Sequence, residues 1–300
     1  RAAKREGLPV TCDVSANHLH LTDVDIGYYD SNFRLDPPLR GQRDRDAIRA
    51  ALADGTIDVV ADPDIAPEIV LDYSGQISGG GSLTKTGAGA VTLTGTNSFS
   101  GGTTITSGSL IGSTQSFGTG AIVNNASLVL DETTDASFGL VISGTGSLTK
   151  SGAGALTLSG VSSFTGTTTV TAGRLNVAGS LARSALTLQS GSSLGGNGTV
   201  GSLIAQSGST VSPGNSIGTL AVNGNLTLAA GSLLAIEVAP SGADMVTVTG
   251  TANLAGNLTI TPSAGQYSFF QRFTLVSANT VTGTFANSSL GDFGAKFRAK

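Results

Sequence analysis

The stretch Gly81-Ser-Leu-Thr-Lys-Thr-Gly-Ala-Gly-Ala-Val-Thr-Leu-Thr-Gly95 returns as Gly146-Ser-Leu-Thr-Lys-Ser-Gly-Ala-Gly-Ala-Leu-Thr-Leu-Ser-Gly160. Residues 81–108 align on 146–173 without a gap, and 19 of the 28 positions are identical. A unit this short cannot bury its own apolar face, so copies of it must stack on one another. The units alternate apolar residues with threonine or serine, and glycines sit at their ends. Alternation with a period of two is the pattern of a half-buried strand. Glycine allows the sharp turns between strands, where φ is positive. The repeat therefore predicts coils of a parallel β-solenoid.

The same texture continues beyond the two copies. Leu186-Thr-Leu, Leu226-Thr-Leu, Val246-Thr-Val and Leu258-Thr-Ile each place apolar side chains on one face and threonine on the other. Threonine suits an exposed pleated surface because its β-branched side chain packs along it. With coils of about 20–25 residues, residues 76–290 are expected to form about ten. A strand spacing of ~4.8 Å would make the stack ~50 Å long, with two open edges that invite aggregation unless capped.

Composition decides between this order and disorder. Glycine stands at 43 residues and charged residues at 12%, but 39% of the chain is hydrophobic and the formal charge is only −4. Disordered chains combine low hydrophobicity with high net charge, and this one does neither. The mild acidity, with no basic stripe and no interleaved aromatics, argues against nucleic acid as a partner. A single cysteine, Cys12, permits no intramolecular disulfide. Near-absence of cysteine fits a chain that crosses membranes unfolded. No run of 18 apolar residues is present, so no spanning helix is expected. Arg1-Ala-Ala-Lys-Arg-Glu6 is not followed by an apolar signal core, and the reading frame is expected to begin upstream.

The composition breaks near residues 61–76. Residues 1–61 hold 18 of the 36 charged residues and four of the 43 glycines. Within them Leu8–Val14 reads as a short strand. Asp44–Gly55 reads as a helix, with acids in its first turn, Ile48 and Leu52 on one face, and Gly55 as its stop. Thr56–Ala61 reads as a second short strand, giving a βα element of the kind that belongs on a larger parallel sheet. The Pro/Asp-rich run from Asp62 marks a turn or linker, and Gly75–Ser82 reads as a solenoid corner. The expected organisation is residues 1–61, a junction at 62–75, a solenoid at 76–290 and a tail at 291–300.

On the motifs quoted above, residues 76–290 resemble the passenger region of type V secretion autotransporters. Asn97-Ser-Phe-Ser-Gly-Gly-Thr-Thr-Ile105 and Gly173-Arg-Leu-Asn-Val177 extend the likeness to the autotransporter-associated β-strand repeat. Gly208–Leu220, Asn223–Leu228, Ala243–Leu254 and Tyr267–Ala278 are similar to the last coils before the translocator. The resemblance implies a right-handed parallel β-helix displayed at the Gram-negative cell surface, or secreted from it. It also implies a translocator β-barrel in the full-length protein, after the tail at 291–300, and host or neighbouring-cell surface molecules as partners.

Residues 1–61 resemble a different family. Gly7–Gly27, Asn32-Phe-Arg-Leu-Asp-Pro-Pro-Leu-Arg40 and Asp54-Gly-Thr-Ile-Asp-Val-Val-Ala61 look like part of a dihydroorotase of the cyclic amidohydrolase superfamily. The likeness implies strands seven and eight of a (β/α)8 barrel. In that family strand eight continues into Asp-His-x-Pro, whose Asp serves the metal site. Here Ala61 is followed by Asp62-Pro-Asp-Ile, so the motif breaks at the functional residue. The family also often has Asn before Pro-Pro-Leu-Arg, where this chain has Asp36. Its His-x-His pair, bridging Lys and later metal histidines would lie before residue 1.

Individual residues point the same way. His18 and His20 have the spacing of a His-x-His pair, but a metal centre needs further ligands and the chain has no third histidine. They are read as loop or packing residues. Cys12 lies in an apolar strand pattern, where a free thiol behaves as a small hydrophobe. Asp13 and Asp36 are read as solvated loop acids, because two strands of eight cannot position an active site. Gly87-Ala-Gly89 and Gly152-Ala-Gly154 lack the strand–turn–helix setting of a phosphate loop and are read as corners. Repeated aspartates for calcium are missing from 75–290. The sequons at Asn197, Asn225 and Asn257 are by-products of composition, and Phe99 and Phe164 are expected in the core.

The sequence thus predicts a mainly β chain with no catalytic, cofactor-binding or metal-binding residues and no cofactor. Its expected function is a structural or adhesive stalk. A truncated, inactive zinc-dependent dihydroorotase remnant and a glycan-binding solenoid are the alternatives.

Overall fold

A computed structural model of the chain describes residues 70–291, together with 13–15, 43, 46 and 59–61. The chain divides into two compact units, Arg1–Val129 and Leu130–Lys300. In the first unit, strands Val70–Tyr73, Ala90–Leu93 and Ser109–Gly112 form one parallel ladder. Strands Leu83–Lys85, Thr103–Ile105 and Ile122–Asn124 form a second. Leu83 stands opposite Thr103, and Thr103 opposite Ile122. The chain thus returns to the same ladder after each full coil. A further parallel pair, Asp13–Ser15 with Val59–Ala61, belongs to the same unit.

The second unit has three such ladders. One climbs through Ala136–Phe138, Ala155–Leu158, Arg174–Val177, Ser193–Gly196, Thr210–Pro213, Leu233–Ala239, Asn257–Pro262 and Asn287–Leu290. Another climbs through Ser147–Ser151, Thr168–Val170, Leu186–Leu188, Leu203–Ala205 and Leu226–Leu228 to Met245–Leu254 and Val276–Gly283. The third joins Ser180–Leu181, Thr199–Val200 and Thr219–Val222 to the start of Met245–Leu254. Each of these strand pairings is parallel; among the described residues the short hairpin at Gly242–Ala243 and the bridge between Gly196 and Gly214 are antiparallel. Both units are β-solenoids, and about ten coils are present in all. The expected coil length of about 20–25 residues is broader in the structure. Leu186 pairs with Leu203, a coil shorter than that range, whereas Ala252 pairs with Val281, a coil longer than it.

The alternation explains the register. Leu186-Thr-Leu, Leu226-Thr-Leu and Leu148-Thr-Lys all bury their outer two residues and leave the central threonine half-exposed. Leu156, Leu175, Leu194, Val211 and Leu234 then lie in one column inside the coils. A slip of one residue would turn that whole column into water, so the period of two pins the pairing. Phe99 and Phe164 are buried as expected. Gly75–Ser82 is irregular backbone with Gly79 at positive φ, as a corner requires.

The last rungs differ. Val276–Gly283 and Asn287–Leu290 are largely exposed along their length. Phe269 and Phe270 project from the preceding loop with 82% and 96% exposure. Tyr267 ties that loop down, its hydroxyl lying 2.9 Å from the carbonyls of both Val238 and Ser263. Outside the solenoids, Arg43 and Asp46 have helical backbone. Asp46 falls within the expected helix, whose remaining positions lie outside the described residues.

Candidate functional site

The most elaborate polar constructions sit at the corners of the repeat. Lys85 and Lys150 hold the same position in the two copies. Each follows Leu-Thr, so its parity in the strand points inward, and each is buried. The Lys150 ammonium donates to the carbonyls of Ser151 at 2.6 Å, Gly152 at 2.7 Å and Ala172 at 3.2 Å. Lys85 repeats this with Thr86 at 2.5 Å, Gly87 at 2.9 Å and Ser107 at 3.3 Å. Two acceptors come from the lysine's own corner and one from the next coil, so each ammonium ties two coils together. An ammonium supplies three donors and no acceptor, which suits a nest of carbonyls. Burial pulls the Lys150 pKa below the ordinary lysine range, against the attraction of Glu132 and Asp131.

This geometry explains the Gly-Ala-Gly corners. Gly87 and Gly152 have φ of +74° and +76°. Their carbonyls converge on a cation, whereas a phosphate loop must offer N–H groups to an anion. The arrangement has the polarity opposite to a nucleotide site. Gly173 closes the next corner at φ +65°, and a β-carbon there would lie 2.6 Å from the carbonyl oxygens of both Gly152 and Gly154.

Three other constructions follow the same logic. Asn97 accepts from the Ile77 amide at 2.8 Å and donates to the Ser116 carbonyl at 2.6 Å, so it bridges coils. In the second copy Ser162 takes its place and accepts from the Ile142 amide at 3.1 Å. Arg174 lies over Gly195, reaching Asn176 Oδ1 at 2.6 Å and the Ser212 carbonyl at 3.3 Å. A β-carbon on Gly195 would fall 1.9 Å from its guanidinium, so a larger residue there would push the Arg174 head aside. Asp244 is fully buried and accepts from the amides of Gly218 at 2.9 Å and Glu237 at 2.7 Å. Burial raises its pKa, the two amide bonds oppose the rise, and Glu237 adds to it.

Cys12, His18, His20 and Asp36 lie outside the described residues. Asp13 opens the strand Asp13–Ser15, opposite Val59. Two of the sequon asparagines bridge coils. Asn225 Oδ1 accepts from the Thr251 amide at 2.9 Å, and Asn257 Oδ1 accepts from Asn287 at 3.0 Å. Asn197 Oδ1 lies 1.9 Å from where a β-carbon on Gly218 would stand. Among the described residues no group of three His, Cys, Asp or Glu side chains is placed to hold a metal. No helix among them is long and apolar enough to cross a membrane. The roles of Lys85, Lys150 and Asp244 escaped the sequence reading. The signal was a charged residue at inward parity in a nearly charge-free repeat, but nothing in the sequence says which carbonyls would gather on it.

The profile of the passenger-associated-transport-repeat family matches residues 83–111 and 148–177. These are the two stretches that carry the lysine corners. The chain is also similar, over a short stretch, to dihydroorotases. That of Anaeromyxobacter dehalogenans is 50% identical over 74 residues, 24% of this chain and 17% of that enzyme. That of Bacillus pumilus is 51% identical over 61 residues, 20% of this chain and 14% of that enzyme. That of Ligilactobacillus salivarius is 46% identical over 77 residues, 26% of this chain and 18% of that enzyme. The chain thus spans less than a fifth of the length of these relatives. The two likenesses are to proteins of unrelated kinds. A repeat of the passenger-associated type lies on a parallel β-solenoid, and a short dihydroorotase-like stretch accompanies it.

Proposed function

We propose that this chain is the stalk portion of a type V secreted passenger, displayed at the bacterial surface, with a structural or adhesive role and no turnover of its own. The observation that carries this reading is the coincidence of the two transport-repeat matches with complete, lysine-tied coils. A continuous parallel ladder resists local opening, because each coil is held by the coils on both sides. That is the property a surface stalk needs. Labelling of intact source cells with an antibody against residues 70–291, with and without protease shaving, tests it. Signal on intact cells is expected, lost on shaving only where the protease cuts the stalk free of the surface. Signal found only after lysis would refute display.

The dihydroorotase likeness supports a second statement about the amino-terminal segment. We read residues 1–61 as a remnant of such a barrel, inactive because barrel enzymes assemble their sites from the ends of several different strands. The purified chain, supplied with zinc and dihydroorotate, is expected to give no ring opening. A measurable rate would overturn the remnant reading. Contact with neutral glycans is the further alternative. The register-paired column of Thr149, Thr169 and Thr187 on the outer face favours it. Retention on a carbohydrate array, abolished by Thr169→Lys, would be its signature.

A further inference from the structure

The first coil of a parallel solenoid presents an open strand edge, and such edges recruit other chains unless something covers them. In the first unit Leu83–Lys85 is the terminal strand of its ladder among the described residues. The strand Val59–Ala61 runs within 8 Å of it, Cα to Cα. Val59–Ala61 precedes Leu83–Lys85 by about the advance of one coil, the step that also separates Leu83 from its partner Thr103. It is in turn paired in parallel with Asp13–Ser15, in register Asp13 with Val59 through Ser15 with Ala61. All of these strands belong to one compact unit.

We propose that the parallel pair Asp13–Ser15 and Val59–Ala61 is the amino-terminal cap of the solenoid. The pair is a two-stranded sheet of its own, and it lies against Leu83–Lys85 on the side where a preceding coil would stand. A strand pair of barrel type suits this place because its two strands already run parallel, as the strands of the ladder beside it do. The segment that resembles dihydroorotase therefore acts as an edge cover here, a role that needs its backbone and none of its catalytic groups. This inference stands apart from surface display. It concerns how the first coil is protected, wherever the protein resides.

Hydrogen exchange on the full 300-residue chain tests it. Val60→Pro removes an amide donor and constrains the middle of the cap strand. Val60→Gly weakens the same strand more gently. Exchange at Leu83–Lys85 is expected to accelerate about tenfold or more in Val60→Pro and a few-fold in Val60→Gly, while Thr168–Val170 is unchanged. Light scattering should show the mass of Val60→Pro rising with concentration as the uncovered edge self-associates. Unchanged exchange at Leu83–Lys85, or equal acceleration at both sites in Val60→Gly, would overturn the cap.

Discussion

Lys150→Met is the sharpest test of how the coils are tied. Methionine keeps the length and burial of the lysine stem but removes the ammonium from the carbonyls of Ser151, Gly152 and Ala172. Ser151 keeps another donor, the Glu132 amide at 3.1 Å. The loss therefore concentrates on Gly152 and Ala172. Hydrogen bonds from a charged donor contribute roughly 1.5–3 kcal/mol each, so two amount to about 3–6 kcal/mol. Against this, burying an ammonium costs several kcal/mol, and Met does not carry that cost. The net destabilisation is about 2 kcal/mol, and a change of that size shifts a local opening equilibrium by about thirtyfold. Because stability in a solenoid is distributed over coils, the readout should be local. Exchange of the Gly154 and Thr171 amides, which bond to Glu132 and Lys150 carbonyls, reports the corner directly. Acceleration of about thirtyfold there, with little change at Leu203–Ala205, is expected. Exchange that stays the same or slows would mean that burial of the charge outweighs its carbonyl bonds, and the coil-tying account would fail.

Other perturbations probe the remaining links. Leu188 is fully buried between Val170 and the small Ala205, so Leu188→Ala is expected to cost about 2–5 kcal/mol in denaturant unfolding. A cost under about 1 kcal/mol would mean that the coil interior collapses freely around the gap. Gly173→Ala meets both a positive φ and two carbonyls at 2.6 Å. It should destabilise by at least about 1–2 kcal/mol from the backbone term alone, measured by thermal unfolding. Asp244 has its folded pKa raised by burial, so the native state takes up this proton before the unfolded chain does. Stability linked to it therefore falls as pH rises through the window between the ordinary Asp value and the folded value, and is regained on acidification. Between about pH 7 and about pH 4 the urea midpoint of the native protein should gain on that of Asp244→Asn. A difference that is flat, or that moves the other way, would contradict the assignment.

The solenoid was legible because its determinant is local. Leu-Thr-Leu with a glycine at each end is a half-buried strand between tight turns wherever it occurs, and its recurrence demands stacking. Phe99 and Phe164 share that legibility, since equivalent positions in matching repeats meet equivalent surroundings. The coil length was less so. The interval from Ala252 to its partner Val281 contains the loop that Tyr267 ties down, and no periodicity marks its extent.

What the chain alone determined is the period. Inward and outward faces and the register within each strand follow from alternation. What only the tertiary structure decided is who meets whom across coils. The Ala172 carbonyl on Lys150, the Gly218 amide on Asp244, the guanidinium laid over Gly195 and the strand Val59–Ala61 beside Leu83–Lys85 join residues from different turns of the chain. The physical reason is that stacking converts a sequence separation of one coil into a neighbour one strand away, and coil lengths here vary too widely for that conversion to be read from spacing.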